Sequence, residues 1–202
     1  MNFCMNSEEF MWRKPTESFK GSLGGDDPYV KQLPLSRAIP LWGGISEGGF
    51  AVVAFHTAKK LKSDEWAKLV GAGKLSDAVT KLRPVHARGP WHVLCDNEGF
   101  LTAKPSTQAY KKCRVKLWKI PSKSPDLNPI ERFWSHLKRH LRKMDLADAA
   151  RHRPALDKPA YRKRVRRVLG TNKMQNMATK CAGSLKKVCK VVLEKKGRAT
   201  GL

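Results

Sequence analysis

The chain has 202 residues, 41% of them hydrophobic, which is enough for one packed domain of ordinary size or one domain with a tail. No apolar run reaches the roughly 18 residues of a membrane-spanning helix, and the acidic start MNFCMNSEEF argues against a secretory signal. With 41 Lys and Arg against 17 Asp and Glu, the formal charge of +24 favours a polyanionic partner, nucleic acid first and an anionic membrane surface second.

The N-terminal third of the sequence alternates strand-like and turn-like segments. Residues 9–14 predict a short strand, and residues 16–37, rich in Gly, Ser, Pro and Asp, predict a loop. Two apolar, β-prone segments, 38–46 and 49–56, are separated only by Glu47 and Gly48, which is typical of a hairpin. Two helices are expected to follow, at 63–70 and 75–82.

The middle of the chain continues with strand and helix in alternation. The apolar run 91–95 lies between turn-forming residues and predicts a central strand covered on both faces. A helix over 102–113, a strand over 115–120 and a strong helix over 129–144 follow, the last with an apolar stripe at helical spacing. Residues 151–202 are basic and compatible with helices. This order predicts an α/β domain of three layers with a basic helical appendage.

Two carboxylates stand where strand and helix ends would bring them together. Asp96 directly follows the predicted central strand, and Glu131 lies in the first turn of the 129–144 helix. Such a pair offers the hard oxygen ligands that Mg²⁺ or Mn²⁺ prefer, and these ions can promote phosphodiester cleavage. Simpler interpretations stay open, because Asp96 also suits a turn and Glu131 suits a capping box with Asn128.

The motifs around these residues resemble those of a known family. SPDLNPIERFWSHLKRHL (124–141) and VLCDNEGFLTA (93–103) resemble the third-acid and second-acid motifs of Tc/mariner superfamily transposases. Between Asp96 and Glu131 lie 34 residues, the spacing of one large branch of that superfamily. MWRKP (11–15), LWGGIS (41–46), LKSDEW (61–66) and SLKKVCKVVLEKKG (184–197) look like further landmarks in the same order.

The resemblance implies an RNase H-like fold, two divalent metal ions, Mg²⁺ or Mn²⁺, and cleavage and joining of DNA ends during transposition and integration. In the family the first catalytic Asp stands on an opening strand, the centre of the sheet, upstream of the Trp-Arg segment. Here none of the eleven residues before Trp12 is Asp, and we expect the helix-turn-helix region of the family to be absent as well. The second motif carries Glu98-Gly99-Phe100-Leu101 instead of the usual Pro and His. We therefore expect the first strand to be missing and activity to be impaired.

The basic excess points to a DNA contact surface in the last third of the chain. Residues 136–202 contain 20 Lys and Arg against 4 Asp and Glu. Contact with phosphates is expected from side chains on the 129–144 helix and on the following basic segment: Lys138, Arg139, Arg142, Arg162, Lys163, Arg164, Arg166 and Arg167. Alternatives are a nuclear localisation signal in 161–167 and a solvated helix face. Trp118 and Trp134, each flanked by basic residues, are expected in the core rather than as stacking platforms.

The sequence as a whole predicts a partial DDE catalytic domain at 1–147 and a basic helical extension at 148–202. DNA is the expected partner, no membrane contact is expected, and a homodimer and a nuclear location are further expectations. Two functions stay open: a metal-dependent transposase-derived endonuclease, or a nucleic-acid-binding protein on the same fold without catalysis. A gene start placed downstream of the true one would also account for the departures.

Overall fold

The structure, a computed structural model, describes residues 2–3, 39–56, 61–83, 92–121 and 124–197. Its strands are β1 (Asn2–Phe3), β2 (Ile39–Ser46), β3 (Gly49–Phe55), β4 (His92–Cys95) and β5 (Lys116–Lys119). Its helices are α1 (Ser63–Gly71), α2 (Lys74–Leu82), α3 (Gly99–Thr102), α4 (Lys104–Cys113), α5 (Pro129–Ala149), α6 (Lys158–Leu169), α7 (Asn172–Gly183) and α8 (Leu185–Glu194). A 3-10 turn at Pro125–Leu127 precedes α5. Helices therefore dominate a mixed α/β fold with small sheets, consistent with the expected fold class.

The predicted hairpin is confirmed and forms the centre of the packing. β2 and β3 pair antiparallel around the Glu47-Gly48 turn, with a register shift between Trp42 and Gly43. A β-carbon at Gly43 would lie 2.6 Å from the Phe50 ring, so only glycine fits this irregularity.

The two faces of the hairpin contribute to different hydrophobic clusters, because side chains alternate along a strand. One cluster joins Ile39, Leu41 and Phe50 to buried side chains of α5, α6 and α7. The other joins Ala51 and Val53 to buried side chains of α1, α2 and α4. Helices thus cover the hairpin from both sides, and the C-terminal helices α6 and α7 share a core with β2. The predicted boundary at residues 147 and 148 falls inside α5 and stays a prediction.

The remaining strands leave one expectation open and correct another. The two residues of β1, Asn2 and Phe3, pair antiparallel with Pro40 and Ile39 of β2, and the absence of the family's first strand stays a prediction. β4 was expected to be a central strand, but within the described residues it pairs only with β5, in parallel, and its first three residues are half-buried. A two-residue β1 bonded to β2 does not extend the sheet to β4, so the described strands form two small sheets.

Further predicted elements agree with the structure to within a few residues. α1, α2 and β5 lie where expected, and the predicted 102–113 helix divides at Ala103 into α3 and α4, with Pro105 in the first turn of α4. α5 extends five residues beyond the predicted end at 144. The strand at 9–14 and the loop at 16–37 lie outside the described residues. Among the helices that the structure does describe, none combines the length and apolarity required to cross a bilayer.

Candidate active site

Asp96 is positioned by bonds between the ends of β4 and β5. Ile120 N–H donates to Cys95 O at 3.0 Å, and the Asn97 side-chain amide donates to Ile120 O at 2.7 Å. Asp96 is half-buried, and its Oδ1 accepts from the Glu98 N–H at 3.4 Å, the long end of hydrogen-bond distances. The turn role considered for Asp96 is thus present but weak. A carboxylate has about four acceptor positions, so this bond leaves capacity for another ligand.

Glu131 is positioned by the first turn of α5. Pro129 occupies the start of this helix, and the Glu131 N–H donates to Asn128 O at 3.0 Å. The capping box considered for Glu131 is wrong: the Asn128 side chain makes no capping bond, and the Asn128 N–H already donates to Pro125 O at 3.1 Å. The 3-10 turn before the helix therefore takes the donor that a capping-box Glu needs. The Glu131 carboxylate is not explained as a helix cap.

Asp96 and Glu131 are brought together electrostatically, and Glu98 joins them. Burial raises the pKa of Glu131, and of the charges around it, Lys138 lowers that pKa while Asp96 raises it. Glu98 is exposed, yet partial desolvation of its carboxyl raises its pKa, and both Asp96 and Glu131 raise it further. Three carboxylates thus share one region at the end of β4 and the start of α5, where Asp96 disfavours the charge of both Glu98 and Glu131.

The position of Glu98 in this cluster was not predicted from the sequence, where Glu98 stood out only as a departure from the second-acid motif. The signal that could have found it was its position two residues after Asp96, on the turn into α3, which keeps both carboxylates near the end of β4.

The carboxylate ligands are of the type that a hard divalent cation prefers, but fewer of them converge than a complete metal site requires. Carboxylate oxygens suit Mg²⁺ and Mn²⁺, and a cation would relieve the repulsion among these groups. Within the described ranges no group of three or more His, Cys, Asp or Glu side chains converges as a metal site. The adjacent Cys95 adds no ligand, because burial, with Asp96 beside it, raises the pKa of its thiol to about 11 and keeps it protonated.

The residues expected to contact DNA divide into three groups. Lys138 and Arg139 on α5 and Lys163, Arg166 and Arg167 on α6 are exposed, while Arg142 and Arg162 are half-buried. Arg162 and Arg166 both lie over the Phe55 ring, their guanidinium carbons 4.8 and 4.7 Å from its centroid.

Arg164 is the exception among these basic residues. Its side chain is 11% exposed and forms ion pairs with Asp145, at 2.7 Å, and with Asp148 on α5. Tyr161 donates to the same Asp145 carboxylate at 3.3 Å. This guanidinium joins α6 to α5 and directs its charge into the protein, so its geometry is that of a structural ion pair and not of a phosphate contact.

The C-terminal helix α8 packs beside the loop that leads to Glu131. It contacts the Pro125–Leu127 turn and α7, and the Arg132 side chain donates to Ser184 Oγ, at the start of α8, at 3.3 Å. The last helix of the chain therefore supports the loop before α5.

Comparisons with known proteins bear on this arrangement. The sequence model described as "DDE superfamily endonuclease" matches residues 9–151. The chain is 41% identical over 54 residues to the Transposable element Tcb2 transposase of Caenorhabditis briggsae, covering 27% of this chain and 20% of that protein. It is 37% identical over 59 residues to the Transposable element Tcb1 transposase of the same organism, covering 29% of this chain and 22% of that protein. These matches confirm the resemblance to transposase DDE domains, over about a fifth of each relative.

Proposed function

We propose that this chain, which belongs to the DDE superfamily of endonucleases, is a transposase-type, metal-dependent DNA endonuclease domain in which Asp96 and Glu131 bind Mg²⁺ or Mn²⁺. The observation that carries the proposal is the electrostatic coupling of these two carboxylates across 34 intervening residues. The finer architecture belongs to the same proposal: an RNase H-like three-layer domain at 1–147 and a basic extension at 148–202.

Each residue has a definite task in this proposal. Asp96 and Glu131 supply oxygen ligands, and Lys138 offsets part of the negative charge near Glu131. A bound divalent ion would polarise a phosphodiester and activate a nucleophilic oxygen. Glu98 keeps the local charge negative, which increases the attraction for the cation. Because the relatives are transposases, the proposal extends beyond hydrolysis to the joining of DNA ends in transposition and integration.

Contact with DNA phosphates is proposed for the exposed basic residues of α5 and α6. These are Lys138, Arg139, Lys163, Arg166 and Arg167, with Arg142 and Arg162 at the edge and Arg164 excluded by its ion pairs. Phosphate contact releases counterions, so affinity for duplex DNA falls steeply with salt. We expect Lys163→Ala to weaken binding and Arg164→Gln to lower the melting temperature instead.

A narrower proposal concerns the 202-residue polypeptide itself: its cleavage is impaired, because residues 1–11 include no Asp that could act as a further ligand. Small misplacements of reacting groups are costly in catalysis. Nicking of supercoiled plasmid with Mn²⁺ tests this. Nicking equal to that of Asp96→Ala supports impairment, and nicking clearly above it refutes impairment.

The second candidate is a nucleic-acid-binding protein of the same fold without catalysis. It is favoured by the lack of a third converging ligand in the described ranges. Salt-sensitive DNA binding together with no Mn²⁺ binding would favour this candidate. A nuclear location and a homodimer are also proposed, and imaging of a tagged chain and sedimentation equilibrium test them.

A further inference from the structure

An exposed aromatic ring lies on the small sheet that leads to Asp96. Trp118 on β5 is 59% exposed, so the expectation that it lies in the core is wrong. Trp134, by contrast, is buried as expected, at 4% exposure. The reason is strand alternation: Leu117 packs against the hydrophobic cluster, so its neighbour Trp118 faces the other side of the sheet.

Trp118 is held in place by a second ring. The His92 ring on β4 lies 4.3 Å from the Trp118 ring, centroid to centroid, with 31° between their planes. Lys116 pairs with His92 in the strand register and is exposed. We call His92, Lys116 and Trp118 the aromatic–basic patch. Its indole lies against a tilted neighbouring ring, and Trp118 remains largely open to solvent.

The aromatic–basic patch adjoins the candidate active site. Trp118 pairs with Leu94, and Asp96 directly follows the end of β4 at Cys95, two residues and about 7 Å beyond Leu94 at the usual strand rise. A strand of DNA entering the site on this face would therefore pass the indole and the Lys116 cation within a short distance of the carboxylates.

We propose that the aromatic–basic patch binds an unpaired base of a DNA strand beside the cleavage position, by stacking on Trp118, while Lys116 contacts the adjoining phosphate. Every base has a π-face that can stack on an indole, and a positive charge beside the ring matches the backbone. Paired bases are already stacked within a duplex, so the patch selects single-stranded or locally opened DNA. This inference rests on the proposed function for its substrate and concerns binding rather than cleavage.

The test measures fluorescence anisotropy of labelled oligonucleotides in EDTA, so that metal binding and cleavage do not enter. Two single-stranded probes of one sequence are compared, one normal and one with abasic sites at its central positions. We expect the wild-type chain to favour the normal probe. Trp118→Ala should weaken binding of the normal probe by about 5- to 150-fold, the usual effect of losing one stacked base. This variant should also bind the two probes with equal affinity.

Matched variants separate stacking from other effects. Leu193→Ala truncates another exposed apolar residue, 78% exposed on α8, and should leave the affinity for both probes unchanged. Trp118→Phe keeps a ring and should retain discrimination between the probes. Lys116→Ala should weaken the binding of both probes and lower the slope of log affinity against log salt concentration by about 0.7.

Three results would overturn the proposal. These are equal binding of the two probes by the wild-type chain, equal affinity of Trp118→Ala and Leu193→Ala for the normal probe, and a lower sedimentation coefficient of the free protein in Trp118→Ala. The last would assign the ring to self-association. Failure of Mn²⁺ binding with intact base discrimination would refute the metal site alone, so the two proposals fail separately.

Discussion

Replacing Gln175 with Leu should loosen the attachment of the hairpin to the C-terminal helices. Gln175 Oε1 accepts from the Phe50 N–H at 2.9 Å, and its Nε2 donates to Leu169 O at 2.7 Å, so one amide bridges β3 and the end of α6. In a two-residue hairpin the second pair from the turn is not hydrogen-bonded across the strands, so the Phe50 N–H points away from β2. Phe50 is 2% exposed, and its donor would be left buried without a partner.

The cost of Gln175→Leu follows from these two bonds. An unsatisfied buried group costs about 1–3 kcal/mol, and the lost bond to Leu169 adds about 1 kcal/mol, so the free energy of unfolding should fall by about 2–4 kcal/mol. For a chain of this size that corresponds to a melting temperature lower by about 4–16 °C. Differential scanning calorimetry measures it, with Asn176→Ala, exposed on the same helix, as the control expected within about 0.5 kcal/mol of wild type. Equal melting of the two variants would refute the bridging role of Gln175.

Three more predictions follow from the core, the histidines and the basic surface. Phe133→Ala removes a ring with no exposed area and should cost about 3–5 kcal/mol in urea denaturation; a loss below about 1 kcal/mol would contradict this core. The pKa values of His136 and His140 are lowered, first by burial and next by neighbouring Lys and Arg side chains. Because the unfolded chain then binds more protons than the folded one, the free energy of unfolding should fall as pH drops through about 6.5. A double His→Asn variant should flatten that decline in melts from pH 8 to 5. Replacing Lys163 and Arg167 with Ala should reduce the slope of log affinity for duplex DNA against log salt concentration by about 2. An unchanged slope would exclude these two residues from the interface.

The sequence was a good guide where local patterns decide the structure. The Glu47-Gly48 hairpin, the helix broken near Pro105 and the apolar stripe of α5 depend on turn chemistry and helical periodicity, and each is found. The family resemblance rests on side chains at fixed spacing, Asp96 and Glu131, and the comparisons confirm it.

The sequence was a poor guide where the outcome depends on non-local contacts. Whether Trp118 is buried depends on which face of β5 meets other elements, and flanking lysines do not reveal this. Arg164 looks like its basic neighbours in sequence, yet α5 places two carboxylates opposite it. The capping interpretation of Glu131 failed because the preceding 3-10 turn had already taken the Asn128 N–H. Each error came from a partner distant in sequence or from a competing local bond.

Binding of Mn²⁺ is the most direct test of the claim that Asp96 and Glu131 form one metal site. Titration of the ion into the full 202-residue chain, followed by electron paramagnetic resonance of free Mn²⁺, gives the number of sites and their affinity. We expect the site to be lost in both Asp96→Ala and Glu131→Gln and kept in Asp77→Asn, which changes an exposed carboxylate on α2. Equal Mn²⁺ binding by the wild-type chain and by both single variants would contradict it.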